Sequence, residues 1–329
     1  MVRGAPRGCG LTGVDIARLE SMQTFEDPRI GVRERFLTPS LGGERTVAVL
    51  STPTAPPQSL GWVVCQSFGP EQDLLMGLEV PIVRALTVAG YPVLRYHARG
   101  YGDNAFPADH VNVTTHLEDA LEAAEVLRAN SDIQQVGFAG AYFGAAVAAL
   151  AADRHSASIP ATALAMWEPA VRGRDYIRNL LRLGLMTELI AQGRRGGAPE
   201  PTEILRERGV LDVVGFPLRQ EVYDEISRLD LSTDLQAFRG NSLVVQLSKS
   251  SRPRSDVQRL SARLTELGGD VTFEVVNRPD AHKLRRPRFH GLGDGTKVDS
   301  QEGLVTSLVE TTLAWNRKLA DRTPSGGTE

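Results

Sequence analysis

The chain has 329 residues, 41% of them hydrophobic, enough for one large core or for a core with an inserted subdomain. Its formal net charge of −3 gives no electrostatic reason to expect nucleic acid as a partner. No apolar run approaches about 18 residues, and residues 1–20 carry arginines but no apolar signal segment, so a soluble cytoplasmic protein without a membrane partner is expected. Two distant cysteines, Cys9 and Cys65, make no disulfide framework, and no metal-ligand spacing is present.

In chain order, residues 1–30 are rich in Gly, Arg and Pro and are expected to be frayed. Residues 32–41 and 45–52 alternate like antiparallel strands joined by Gly42-Gly43. Residues 61–65 form a buried strand that ends in Gln66-Ser67-Phe68-Gly69-Pro70-Glu71. A helical spacing covers 74–89, interrupted by Pro81 and stopped by Gly90. The strand at 91–96 closes in Arg99-Gly100-Tyr101-Gly102-Asp103-Asn104. Thr115-His116-Leu117-Glu118 fits a capping box and predicts a helix through about Arg128.

The most informative stretch follows. Residues 136–139 read as a short buried strand, and the small-residue run 145–152 suits a helix packed closely on a sheet. Between them, Gly140-Ala141-Tyr142-Phe143-Gly144 has the spacing of a catalytic elbow, a strand-to-helix turn whose flanking glycines relieve crowding around a strained central residue. Enzymes that use this turn place serine at its centre; here the residue is Tyr142.

Residues 161–167 form another strand, ending in Glu168-Pro169. Strands alternating with helices at this spacing imply an α/β protein with a doubly wound, mostly parallel sheet. Residues 171–238 are rich in Arg, Leu and Glu, with a Gly/Pro loop at 193–201 and no buried-strand run. They read as a helical lid inserted between the core segments 31–170 and 239–320. The sheet pattern resumes with strands at 242–247 and 271–276 around a helix at 255–267. A final helix at 303–319 precedes a tail, 321–329, expected to be disordered.

Taken together these segments resemble the α/β-hydrolase fold. The resemblance rests on Cys65-Gln66-Ser67-Phe68-Gly69, the loop from Arg99 to Asn104, the Gly140–Gly144 turn and His282 beyond the last strand. The loop is similar to the Arg-Gly-x-Gly-x-Ser segment of serine-aminopeptidase-like members, with Asn104 in the serine's place. The stretch from Trp167 to Tyr176 is similar to one in hydrolase-like proteins associated with exosortase systems, in which the nucleophile serine can be absent.

The resemblance implies a nucleophile, a base, an acid and an oxyanion hole. The nucleophile position maps to Tyr142, a bulky phenol that is only about 0.1% ionised at neutral pH without help. The base position maps to His282, with His290 as runner-up; arginines 278, 285, 286 and 288 surround it in sequence. No carboxylate follows Leu247 directly, which leaves Glu168 or the later Asp256 for the acid. The alternative for Glu168 is a salt bridge to Arg172 or Arg174. Backbone N–H groups at Phe143 and at Ser67 or Phe68 are the expected oxyanion or ligand donors, and they survive side-chain replacement. Ser67 is a conceivable substitute nucleophile. Cys65 reads as an inert buried thiol, and His97, His110, His116 and His155 show no partner spacing. Nucleotide fingerprints and glycosidase carboxylate pairs are absent, so no cofactor is expected.

Three readings follow. The first is a non-catalytic or strongly altered member binding an acyl or carboxylate-bearing small molecule in a lidded pocket. The second is an active ester, thioester or peptide hydrolase using an unusual nucleophile with His282 and Glu168. The third is a scaffold whose arginine-rich lid contacts an acidic partner. Oligomeric state is left open by the sequence.

Overall fold

The structure, a computed structural model, describes residues 23–102, 104–156, 159–191, 200–277 and 296–322. Its centre is a nine-stranded sheet. The strands are β1 (Thr24–Asp27), β2 (Val32–Leu37), β5 (Ala48–Pro53), β6 (Leu60–Cys65), β7 (Val93–Tyr96), β8 (Gln135–Ala141), β9 (Ala161–Trp167), β12 (Asn241–Ser248) and β13 (Asp270–Asn277). Across the sheet the order is β1-β2-β5-β7-β6-β8-β9-β12-β13. The first three pairings are antiparallel, and from β7 to β13 every pairing is parallel. Strands buried on both faces read as continuous apolar runs, and β6 is buried at every position.

Helices cover both faces. The first, α1 (Glu71–Val88), packs with the last, α9 (Thr296–Arg322), while α2 (Val113–Ala129) packs with α3 (Phe143–Arg154). Adjacent residues of β6 show that these pairs lie on opposite faces. Trp62 meets Trp315 of α9 with ring centroids 5.9 Å apart, whereas a Cβ on Gly61 would lie 3.1 Å from Leu127 of α2. The helix α8 (Ser255–Glu266) connects β12 to β13.

Between β9 and β12 the chain leaves the sheet. This insert comprises α4 (Gly173–Ala191), α5 (Pro201–Arg208), a hairpin of β10 (Val210–Val213) and β11 (Phe216–Arg219), α6 (Gln220–Arg228) and the single turn α7 (Leu231–Asp234). Its neck is zipped by backbone bonds from Gly173 N to Leu229 O (2.8 Å) and from Leu231 N to Val171 O (2.9 Å). Gly173 is required there, because a Cβ would overlap the Ile226 carbonyl.

Several expectations need correction. Residues 24–27 are not frayed: they form β1, an edge strand registered on β2. The strand expected at 32–41 stops at Leu37, and residues 40–45 fold into the small hairpin of β3 (Ser40–Leu41) and β4 (Glu44–Arg45). The insert is not purely helical, since the β10–β11 hairpin interrupts it. Pro81 does not break α1, which runs through it. The cap of α2 is Asn112, whose side chain accepts from Thr115 N while the Thr115 hydroxyl accepts from Asn112 N. The reciprocal pairing of a capping box is therefore present three residues earlier than Thr115-x-x-Glu118 suggested. The final helix begins at Thr296, and its end at Arg322 takes in the start of the segment expected to be a tail.

Candidate functional site

The chain reverses sharply between β8 and α3. Tyr142, the residue at the corner, has φ 50° and ψ −115°, a conformation that L-residues rarely adopt. Its N–H donates to Trp167 O at 3.0 Å, and its carbonyl accepts from Ala170 N at 3.0 Å, which ties the corner to the end of β9. The flanking glycines have steric causes. A Cβ on Gly140 would overlap the Gly144 carbonyl and lie 2.8 Å from Ala145 N. One on Gly144 would overlap the Cys65 carbonyl and lie 3.1 Å from Ser67 N. The small residues therefore let α3 press against both its own strand and the end of β6.

That contact brings Tyr142, Phe143, Ser67 and Phe68 together. All four are buried, and the Phe68 and Phe143 rings meet edge to face at 5.7 Å. Phe143 N–H opens α3, as expected for a donor in the first turn. Ser67 is not poised as a nucleophile. It is fully buried, and its Oγ donates to Glu71 Oε2 at 2.8 Å.

The insert roofs this corner with two aromatic residues. Tyr176 of α4 stacks on Phe143 at 5.3 Å with 25° between planes, and its hydroxyl donates to Glu71 Oε2 at 2.8 Å. Phe216 of the hairpin stacks on Tyr101 (5.4 Å, 11°) and meets Phe68 edge-on at 5.0 Å. Tyr101 Oη accepts from Gly69 N–H at 2.8 Å and is hydrogen-bonded to His116 Nε2 at 3.2 Å. Burial pushes His116 down to about 3, with the nearby Arg99 charge adding to the effect, so the imidazole stays neutral. Burial raises the Tyr101 phenol far above its ordinary range. The loop ahead of α1 is thus held by a Tyr–His pair that the spacing of the histidines did not reveal.

The loop of Arg99 to Asn104 is a structural latch. Arg99 binds Asp119 through Nε at 2.6 Å and through its backbone N–H at 2.7 Å, and its Nη2 reaches Glu118 at 2.6 Å. Asn104 accepts from Gly100 N and Phe106 N and donates to the Arg45 carbonyl.

Glu168 stands beside the corner with its carboxyl engaged elsewhere. Oε2 accepts from Leu247 N at 2.6 Å, and Oε1 pairs with Arg254, which also meets Asp256 at 3.3 Å. The partner is neither Arg172 nor Arg174; Arg172 approaches Asp230 instead, at 3.9 Å. Both carboxylates considered for the acid therefore share one arginine. His282 and His290 lie outside the described residues. Cys65 is fully buried, and burial raises its thiol well above the ordinary value. Among the described residues no cluster of His, Cys, Asp or Glu could hold a metal ion, and no helix is long and apolar enough to cross a membrane.

Sequence reasoning missed Glu71, Tyr176, Tyr101 and Phe216. Glu71 had a signal, an acidic residue at a helix start directly after the Ser67 loop. The others meet the site only through tertiary packing.

No family model matches the chain, and no curated protein does. Solved structures do. Est1E from Butyrivibrio proteoclasticus, with ferulic acid bound, superposes with a TM-score of 0.55 at 15% identity, covering 84% of this chain and 99% of that one. The esterase Pf2001 of Pyrococcus furiosus gives 0.53 at 12% identity, over 87% and 94%. Mouse alpha/beta hydrolase domain-containing protein 10 gives 0.51 at 14% identity, over 87% and 99%. Together with the strand order, these likenesses establish the α/β-hydrolase fold for this chain.

Proposed function

We propose that this protein is a non-catalytic or strongly altered α/β-hydrolase that binds an acyl or carboxylate-bearing small molecule beneath its insert, which serves as a lid. In this reading the β8–α3 corner is the nucleophile elbow, and the observation that carries it is Tyr142 at φ 50°, ψ −115° in the elbow's central position. A buried phenol in place of a small alcohol offers a hydrogen-bonding hydroxyl but fills the room a substrate carbonyl needs. The engagement of Glu168 and Asp256 with Arg254 supports a dismantled acid position. The backbone donors at Phe143 and near Ser67 retain the means to hold an oxygen-bearing ligand. The reading assigns the protein a cytoplasmic location and no nucleic-acid or membrane partner. The alternative is an active hydrolase using Tyr142, His282 and Glu168; it requires Glu168 to exchange its arginine for a histidine.

The test uses the full chain with p-nitrophenyl esters, a fluorophosphonate label and octanoate as ligand. Octanoate is expected to bind in calorimetry, and Tyr142→Trp to weaken that binding. Ester turnover is expected to stay at background in wild type, Ser67→Ala and Tyr142→Phe alike. Wild-type turnover abolished by either substitution would overturn the non-catalytic assignment, and octanoate binding indifferent to Tyr142→Trp would overturn the pocket.

A further inference from the structure

Glu71 is a fully enclosed carboxyl group at the corner. It is 1% exposed, opens α1, and receives two hydroxyls on a single oxygen, from Ser67 and from Tyr176. A carboxyl buried among aromatic rings is tolerable only when its oxygens are met by donors, and a helix N-terminus eases the cost further. Two of the three groups in this arrangement belong to the sheet core: Glu71 and Ser67, with the Phe143 face beside them. Tyr176 belongs to the insert, which joins the core through the narrow neck at Val171–Gly173 and Leu229–Leu231.

The core side of this arrangement has the outline of a seat for a phenol. A flat aromatic face lies at stacking distance, and an acceptor stands at the far end of the ring. Tyr176 fits it with its ring on Phe143 and its hydroxyl on Glu71. We propose that Glu71, Ser67 and Phe143 form a subsite for the phenolic group of a ligand, and that Tyr176 occupies this subsite while the insert is closed. The proposal rests on the reading of the corner as a ligand site and names the ligand class: an aromatic acid or acyl compound with a para hydroxyl. Orientation follows from charge. The Glu71 carboxyl disfavours a second carboxylate beside it, so the ligand's acidic or acyl end faces the backbone donors at the corner. When a ligand phenol replaces Tyr176, the donor to Glu71 is restored. A ring lacking the hydroxyl leaves a buried acceptor short of one partner, which disfavours that ligand by about tenfold or more.

The experiment titrates the full chain with 4-hydroxyphenylacetate and with phenylacetate by calorimetry, and follows amide exchange of α4 in parallel. The hydroxylated compound is expected to bind at least about tenfold tighter, and to accelerate exchange in α4 because Tyr176 must leave. Tyr176→Phe keeps the ring and removes the competing hydroxyl, so it is expected to tighten 4-hydroxyphenylacetate severalfold. Equal binding of the two compounds, no binding of either, or indifference to Tyr176→Phe would each overturn the subsite. Octanoate needs no hydroxyl, so its binding reports on the pocket alone and separates failure of the subsite from failure of the pocket.

Discussion

At the scale of single residues, burial without compensation marks the groups that make this fold sensitive to pH. Glu79 lies inside α1 against the sheet; burial raises its carboxyl to about 7 from an ordinary 4.5, and the Arg95 charge only partly opposes the shift. The folded state therefore holds a proton that the unfolded chain has already lost between those values. Its contribution is full below about pH 4.5 and is lost as pH rises through 7, at a cost of about 3 kcal/mol. His116 acts in the opposite sense. Its pKa falls from 6.5 to about 3 on burial, so its contribution is full above 6.5 and is lost as pH falls through the folded value. Between about pH 4.5 and 6.5 the two slopes oppose each other. Glu79→Gln is expected to leave a protein that loses stability more steeply than wild type as pH drops from 6.5 to 4.5. His116→Gln, which keeps a hydrogen-bonding partner for Tyr101, is expected to reverse that difference. Urea midpoints measured across this range check both, and parallel curves for all three proteins would refute them.

Local elements owe their limits to side chains that sequence spacing identifies only in part. The helix α2 is legible from a capping-box pattern, but its start lies three residues earlier than that pattern places it, because Thr115 belongs to a box with Asn112 rather than with Glu118. Asn112→Ala should cost about 1 kcal/mol by leaving the Thr115 N–H without its acceptor. One turn further, Asp119 is fully buried and takes two bonds from Arg99, so Asp119→Ala leaves the Arg99 Nε and backbone N–H without acceptors, keeps only the half-exposed Glu118 as ionic partner, and should cost about 3 kcal/mol. Comparing the two variants by chemical denaturation separates a helix-end effect from loss of the latch that holds the Arg99–Gly102 loop. Equal costs would mean that the latch adds nothing beyond the cap.

For the whole molecule, the question is how the insert stays registered on the sheet. Asp153, near the end of α3, accepts from the backbone N–H groups of Gln236, Ala237 and Phe238 at 2.9, 2.7 and 2.9 Å through one oxygen. This junction is where the chain returns from the insert toward β12. Asp153→Ala removes the acceptor of three donors and is expected to destabilise by about 1–3 kcal/mol. Amide exchange should quicken in α6 and α7 while β6 and β8, at the sheet centre, keep their protection; uniform loss of protection would refute the junction's role. The sequence by itself determined the parallel core, because strands buried on both faces and helices with one apolar face leave periodic signatures. It also determined the tight corner at Tyr142, because glycines at fixed offsets answer a local steric demand. Which groups meet at that corner was decided only by tertiary structure. Glu71, Tyr176 and Phe216 come from three separate elements, and contacts between residues as far apart in sequence as Trp167 and Thr312, 145 positions, have no periodicity to betray them. Glu168 gives the same lesson: its place beside the corner follows from its position at the end of β9, but the direction of its carboxyl is set by Arg254, a residue 86 positions away.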